Sequence, residues 1–307
     1  MALAQSVTVL EVSPRDGLQN ESVILSTEDK LTLIHRALAA GFRRIEVTSF
    51  VHPTRVPQMA DAEAVCQGLP QRGDVTYTGL ILNRRGYDRA RATGKLQEVG
   101  MVVPATDTFG SRNQGQTVDE SVAVGCDILR DAAQRGLRAT VTIAVAFGCP
   151  FEGDVATARV LDIAKRLADA GPVELALADT IGVGVPGQVL ELFGALRQSL
   201  GTMPLRAHFH YTRNTGIANA FAALQVGVET LDASIGGIGG CPFAPKATGN
   251  IATEDLIYML DRMNVGHDGA LDAVIDTSHW LGSVLGKELP AMVSRAGGFP
   301  NRAADGQ

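Results

Sequence analysis

The chain has 307 residues, 45% of them hydrophobic and 20% charged, with a net charge of −6. A chain of that length and polarity can bury a sizeable core and falls in the range of one α/β barrel. Its acidity excludes nucleic acid as the main partner, since that binding relies on dense Lys and Arg, and points to a small-molecule substrate. No run approaches the roughly 18 apolar residues of a membrane span. The opening MALAQS leads straight into strand-like sequence, so a cytoplasmic location away from membranes is expected. Cys66, Cys126, Cys149 and Cys241 are widely spaced with no CxxC pair, which predicts free thiols.

In chain order, alternation first predicts a strand over Thr8–Val12, then a helix opened by Ser26 and Asp29, a loose capping box, and closed by Gly41. Strands follow at Arg44–Phe50 and Val75–Leu82, with weaker helical intervals near 60–68 and 84–93. Glu98–Val103 leads to a helix near 117–135, Ala139–Phe147 to one near 154–170, and Val173–Asp179 to one near 187–200. Leu205–His210, a helix near 214–227 and Thr230–Ile235 complete the series. Eight strand-helix repeats predict a (β/α)8 TIM barrel, a single domain over 1–307 with a polar, Gly-rich tail from about Ala296. A doubly wound open sheet is the alternative.

Successive strand residues face opposite sides, so parity separates barrel interior from helix-facing exterior. On the fifth strand Val141, Ile143, Val145 and Phe147 should face the helices, while Thr140, Thr142, Ala144 and Ala146 face the axis. On the seventh, Leu205, Ala207 and Phe209 point outward and Arg206, His208 and His210 inward.

Barrel active sites form at the C-terminal strand ends. Polar residues cluster there: Arg15 and Asp16 after the first strand, Glu46 in the second, Asp179 and Thr180 closing the sixth, His208 and His210 closing the seventh, and Cys241 and Asn250 after the eighth. Two imidazoles at i and i+2 share one strand face and can reach one ion. With Asp16 and the Asn250 side-chain carbonyl they make a mixed nitrogen and oxygen set suited to Mg²⁺ or Mn²⁺. Glu46, an inward carboxylate, needs a counter-charge, and Arg15 is the obvious one, either as a structural pair or in catalysis. Asp179 is either an acid near the helix start at Pro186 or a contact to metal-bound water and substrate. Cys241 lies in a Gly-rich loop, SIGGIGGCPFAPKATGN, which favours a reactive thiol over a buried small hydrophobe. Cys149, in GCPFEG, reads as structural.

Several of these stretches resemble the 3-hydroxy-3-methylglutaryl-CoA lyase family of the DRE-TIM metallolyases: SPRDGLQNE at 13–21, IEVTSFVHPTRVPQMAD at 45–61, GCPFEG at 148–153, ADTIGVGVPG at 178–187, and HFH at 208–210 through GGCPFAPKATGNIATEDLIYML at 239–260. That resemblance, over nearly the whole chain, implies Asp16, His208, His210 and Asn250 as metal ligands, with Arg15, Glu46, Asp179 and Cys241 around the reacting atoms. It also implies a divalent metal, Mg or Mn, an acyl-CoA substrate and a homodimer. Synthase relatives condense acetyl-CoA with 2-oxo acids, but PRDGLQNE and the cysteine loop look like the cleaving branch. The expected reaction is cleavage of 3-hydroxy-3-methylglutaryl-CoA to acetyl-CoA and acetoacetate, with Asp16 or His208 as base, Arg15 stabilising the enolate and Cys241 returning a proton.

After its two histidines this family usually continues Asp-Thr, whereas here the run is Tyr211-Thr212-Arg213-Asn214. The acyl group is therefore open, and citramalyl-CoA, yielding acetyl-CoA and pyruvate, is the alternative. Arg213 is expected either to turn to the barrel mouth and pair with a carboxylate or CoA phosphate, or to be solvated. A metal-dependent hydrolase is more remote, because hydrolytic barrels usually carry the histidine pair on the first strand. A non-catalytic metal-binding protein would not need the loop cysteine and inward Arg15 together.

Overall fold

All eight predicted strands form and pair in parallel in sequence order until the last meets the first, closing a barrel. The computed structural model describes residues 5–240 and 249–300. The strands are β1 (Thr8–Glu11), β2 (Arg44–Ser49), β3 (Thr76–Ile81), β4 (Glu98–Pro104), β5 (Arg138–Ala144), β6 (Leu175–Asp179), β7 (Leu205–Phe209) and β8 (Thr230–Ala233). The helices between and after them are α1 (Thr27–Ala39), α2 (Ala62–Gly68), α3 (Arg84–Ala92), α4 (Asp107–Asn113), α5 (Val118–Gln134), α6 (Thr157–Ala168), α7 (Pro186–Leu200), α8 (Gly216–Gln225), α9 (Thr253–Arg262), α10 (Leu271–Leu285) and α11 (Val293–Ala296). No described helix is long and apolar enough to cross a membrane.

Local chemistry explains the helix starts. Ser26 Oγ accepts from the Asp29 N–H ahead of α1, Thr117 and Glu120 close a full capping box on α5, and Pro186 begins α7 where its missing N–H costs nothing. α6 buries Val160, Ile163, Ala164 and Leu167, one stripe at helical spacing that seats it on the sheet. The predicted tail begins differently: 293–296 forms a helical turn, and Arg262 stacks over Phe299 with its guanidinium carbon 4.1 Å from the ring centre.

Parity holds on β5 and β7 as far as those strands run. Val141, Ile143, Leu205, Ala207 and Phe209 are completely buried under the helices. β5, however, stops at Ala144 rather than Phe147. Val145 adopts a φ of 52°, a left-handed conformation that a β-branched residue rarely enters, and turns the chain out of the sheet. Phe147 then packs against Phe193 and Phe209, with ring centres 6.4 and 5.9 Å apart, as part of a turn and not of a strand. β7 likewise ends one residue early, although His210 still bridges to Asn250.

The barrel interior is charged. Arg44 reaches both Glu98 and Glu174 at 2.8 Å, Arg206 lies 3.3 Å from Glu174 and donates to Thr142 Oγ1 at 2.8 Å, and all four charged groups are buried. Small residues make room for them: Gly100 on β4 sits below Glu46, and Ala176 on β6 lies beside Arg206 in register. Glu11, at the end of β1, joins three elements. Its carboxylate accepts the N–H groups of Ser13 (2.8 Å) and Ile235 (3.1 Å) and the Thr253 hydroxyl (2.7 Å).

With no cation beside it among the described residues, burial pushes the Glu11 carboxyl up to about 7. A carboxyl raised in the folded state favours folding most below its unfolded value and loses that contribution as pH rises through the folded value. The stability of the native protein relative to Glu11→Gln, which cannot titrate, is therefore expected to fall by about 1–3 kcal/mol between pH ~4.5 and pH ~8. Urea unfolding of both proteins across that range checks it; a constant difference would show that Glu11 ionises normally.

Candidate active site

Arg15 and Asp16 lie on a single π-type turn, Ser13–Gly17, directly after β1. Such turns interrupt regular hydrogen bonding and re-aim side chains. Gly17 permits it, because a Cβ there would come within 2.7 Å of Ile238 and 2.8 Å of Ser234. The turn directs Asp16 Oδ1 to the Arg15 guanidinium and Asp16 Oδ2 to Asn250 Nδ2 at 2.8 Å. Across the barrel mouth, His208 Nε2 and His210 Nε2 stand 3.9 and 3.7 Å from that same Oδ2. Those separations are too long for hydrogen bonds and suit a shared cation.

Three residues, Asp16, His208 and His210, thus place one ligand atom each within 4.8 Å of one another, all buried. A second observation supports a cation. Among the described residues, His210 Nε2 and Asn250 Oδ1 are buried without a hydrogen-bond partner, a costly condition for two polar atoms. Asn250 donates its NH2 to Asp16 and to the Ile238 carbonyl, which leaves its oxygen as the free donor atom. Gly239 keeps that side chain in place: its φ is 126°, and a Cβ there would fall 2.5 Å from Asn250 Nδ2. The residues present fit a hard or borderline divalent ion with mixed nitrogen and oxygen donors.

The electrostatics follow from burial. Burial alone would raise the Asp16 carboxyl, but Arg15 and the two histidines hold it well below the usual carboxylate range. Glu46 pairs with the other edge of Arg15, yet its burial wins and its carboxyl is raised. Burial would lower the His208 imidazole, but the hydrogen bond to Asp232 and the nearby Asp16 raise it instead. Arg15 is held on two sides by carboxylates in the manner of a fixed donor at the barrel mouth.

The remaining residues sort by contact. Asp179 is not at the start of a helix: its carboxylate accepts the N–H groups of Val183 and Gly184, both at 2.9 Å, and so shapes the turn between β6 and α7. Burial raises it, in spite of those donors. Thr180 Oγ1 accepts the Val145 N–H at 2.8 Å, clasping the turn after β5 to the end of β6. Cys149 is buried, with Thr106 Oγ1 3.1 Å from its sulfur, a packing role. Arg213 is exposed, and its Nη1 donates to the carbonyls of Ile181 (3.1 Å) and Gly182 (2.9 Å). Cys241 lies outside the described residues. Asp232, which touches His208, escaped the sequence reading, although parity on β8 places it on the same face as Thr230 and Ser234.

A family model described as HMGL-like matches residues 6–281. An (R)-citramalyl-CoA lyase from Chloroflexus aurantiacus is 44% identical over 303 residues, 95% of each chain. The crystal structure of the Bacillus subtilis HMG-CoA lyase superposes with a TM-score of 0.93 at 38% identity, covering 96% of this chain and 99% of that one. An HMG-CoA lyase from Acinetobacter baumannii, in complex with coenzyme A and 3-methylmalate, superposes equally well, with a TM-score of 0.93, 37% identity and 98% of each chain covered.

The clasp below the site can be tested apart from any activity. Thr180→Val keeps the shape of the side chain but removes the acceptor of the Val145 N–H, and is expected to destabilise the fold by about 1–3 kcal/mol. Denaturant unfolding measures it; an unchanged midpoint would show that the strained turn holds itself.

Proposed function

We propose, because the chain belongs to the HMGL-like family and gathers Asp16, His208, His210 and Asn250 around buried, unpartnered acceptor atoms, that it is a carbon–carbon lyase dependent on Mg²⁺ or Mn²⁺ that cleaves 3-hydroxy-3-methylglutaryl-CoA to acetyl-CoA and acetoacetate. The observation that carries the metal dependence is the pair of orphaned atoms, His210 Nε2 and Asn250 Oδ1, beside Asp16. Bound there, a divalent cation would lower the pKa of the substrate's C3 hydroxyl and fix the orientation of the scissile bond. The chain's own groups do the rest. Asp16 or His208, the two bases bordering the metal position, takes the hydroxyl proton. As the C2–C3 bond breaks, C3 becomes the ketone carbon and the electron pair moves onto the thioester as an enolate. Arg15, pinned by Glu46 and Asp16, stabilises the enolate oxygen with N–H groups that need not reorganise. Cys241 delivers the proton that turns the enolate carbon into the methyl of acetyl-CoA.

A second reading, citramalyl-CoA as substrate, is favoured by two observations: the 44% identity to a citramalyl-CoA lyase and the Tyr211-Thr212-Arg213-Asn214 segment beside the histidines. Both substrates present the same hydroxyl and carboxylate chemistry, so the reaction steps are shared. Turnover of a panel of 3-hydroxyacyl-CoA thioesters, with products identified by mass, separates them. A kcat/KM for citramalyl-CoA about a hundredfold above that for 3-hydroxy-3-methylglutaryl-CoA, on the order of 3 kcal/mol of transition-state preference, would replace the first reading with the second.

Chelation is expected to abolish turnover, and His208→Ala or His210→Ala to weaken metal binding sharply in a protein that stays folded. Full activity after thorough chelation would sink the metal dependence. Cys241→Ser is expected to fold normally and turn over poorly, and alkylation of Cys241 to be slowed by bound substrate; a full rate in Cys241→Ser would remove the proton-donor role.

A further inference from the structure

The two histidines are not supported alike. His210 has both ring nitrogens buried and, among the described residues, without a hydrogen-bond partner. His208 has Nδ1 3.1 Å from Asp232 Oδ2, on the neighbouring strand, while its Nε2 faces Asp16. Strand register produces this contact, since β7 and β8 pair Arg206 with Thr230 and His208 with Asp232. Residues paired in register on neighbouring parallel strands point to the same face, so both side chains enter the barrel on one level.

Asp232 is itself held. Its other oxygen lies 3.5 Å from Arg206 Nη1, Arg206 is anchored on Thr142 and Glu174, and Glu174 is anchored on Arg44. All are buried, so the carboxylate has neither solvent nor another rotamer readily available. A neutral imidazole carries one N–H and one lone pair, and the partner of one nitrogen decides which is which. A carboxylate accepts only, so opposite Nδ1 it selects the Nδ1–H form and leaves the Nε2 lone pair facing Asp16.

We infer that Asp232 is a positioning residue for the metal centre, fixing the tautomer and ring orientation of His208 so that Nε2 is the ligand atom, which leaves Asp16 rather than His208 as the base. The inference rests on the metal reading above. It assigns a task to the buried ion-pair column as well: Arg206, anchored on Glu174 as Glu174 is on Arg44, holds Asp232 in place. Carboxylates that accept the second N–H of a ligating histidine typically contribute about 10–100-fold in metal affinity.

Asp232→Asn is nearly isosteric but offers an NH2 group, which can bind Nδ1 as acceptor and drive the proton to Nε2, where it blocks the ligand atom. Arg206 keeps Glu174 and Thr142, so no buried guanidinium is orphaned. Calorimetric titration with Mn²⁺ is expected to show affinity reduced about 10–100-fold in Asp232→Asn, with the urea midpoint of the metal-free protein close to that of the native chain. Affinity within twofold of native overturns the inference. If the native chain itself binds no Mn²⁺, the metal reading falls instead, which the titration shows directly. A second measurement needs no Asp232 variant. In ¹⁵N spectra of the chelated native protein at pH ~9.5, where a free imidazole is neutral, the His208 signals, identified by their loss in His208→Gln, are expected to show protonated Nδ1 and bare Nε2. A proton on Nε2 overturns the inference whether or not Asp232→Asn folds.

Discussion

The structure depends on charge kept inside a barrel that solvent does not reach. Arg15, Arg44 and Arg206 are buried with Asp16, Glu46, Glu98, Glu174 and Asp232 in two groups of ion pairs that meet at His208. Every carboxylate among them has an arginine partner, and Glu98 has two, since Arg138 also reaches it at 3.3 Å. Burying charge is tolerated only where each ion is paired and hydrogen-bonded, and removal of a single partner from such a pair typically costs about 3–5 kcal/mol. These pairs constrain the strands in addition to apolar packing: β2, β4, β7 and β8 must hold their register for the arginines to meet their acids.

That constraint delivers the site. The lower part of the column, Arg44 with Glu98 and Glu174, contacts nothing at the barrel mouth, yet through Arg206 and Asp232 it ends on His208. From the other side Glu46 ends on Arg15 and Asp16. The reactive end is thus the meeting point of two chains of ion pairs, one from β2 and one from β7 and β8. Electrostatic stabilisation by donors already in position is the most effective form available to a lyase that must carry an enolate, because no reorganisation is needed as charge develops.

The loops around the mouth are tied by buried polar groups in the same way. Glu11 and Glu254 accept the N–H groups of Ile235 and Gly236, so the start of the short turn after β8 is anchored on two carboxylates. Asp179 holds the turn after β6, Thr180 clasps the strained Val145, and Arg213 secures the carbonyls of Ile181 and Gly182. Arg213 thereby ties the segment after His210 to the loop after β6.

Much of this was legible in the chain. Repeated alternation determined eight strands, and parity on β7 determined that Arg206, His208 and His210 share the interior, because strand geometry is local and has a period of two residues. The strand ends marked Arg15, Asp16, Glu46, Asp179 and Asn250 for the same reason. The end of β5 was not legible: the pattern of Val145 and Phe147 continues the strand, and the groups that hold the left-handed turn are distant in sequence, the Thr180 hydroxyl on the Val145 N–H and the Ala178 carbonyl on the Ala146 N–H. Nor was the partner of His208, since Asp232 meets it through the register of two strands 24 residues apart. The sequence by itself determined which faces carry charge, a matter of neighbouring residues; which charge meets which was decided only when the barrel closed, because those pairings join residues that share no local geometry.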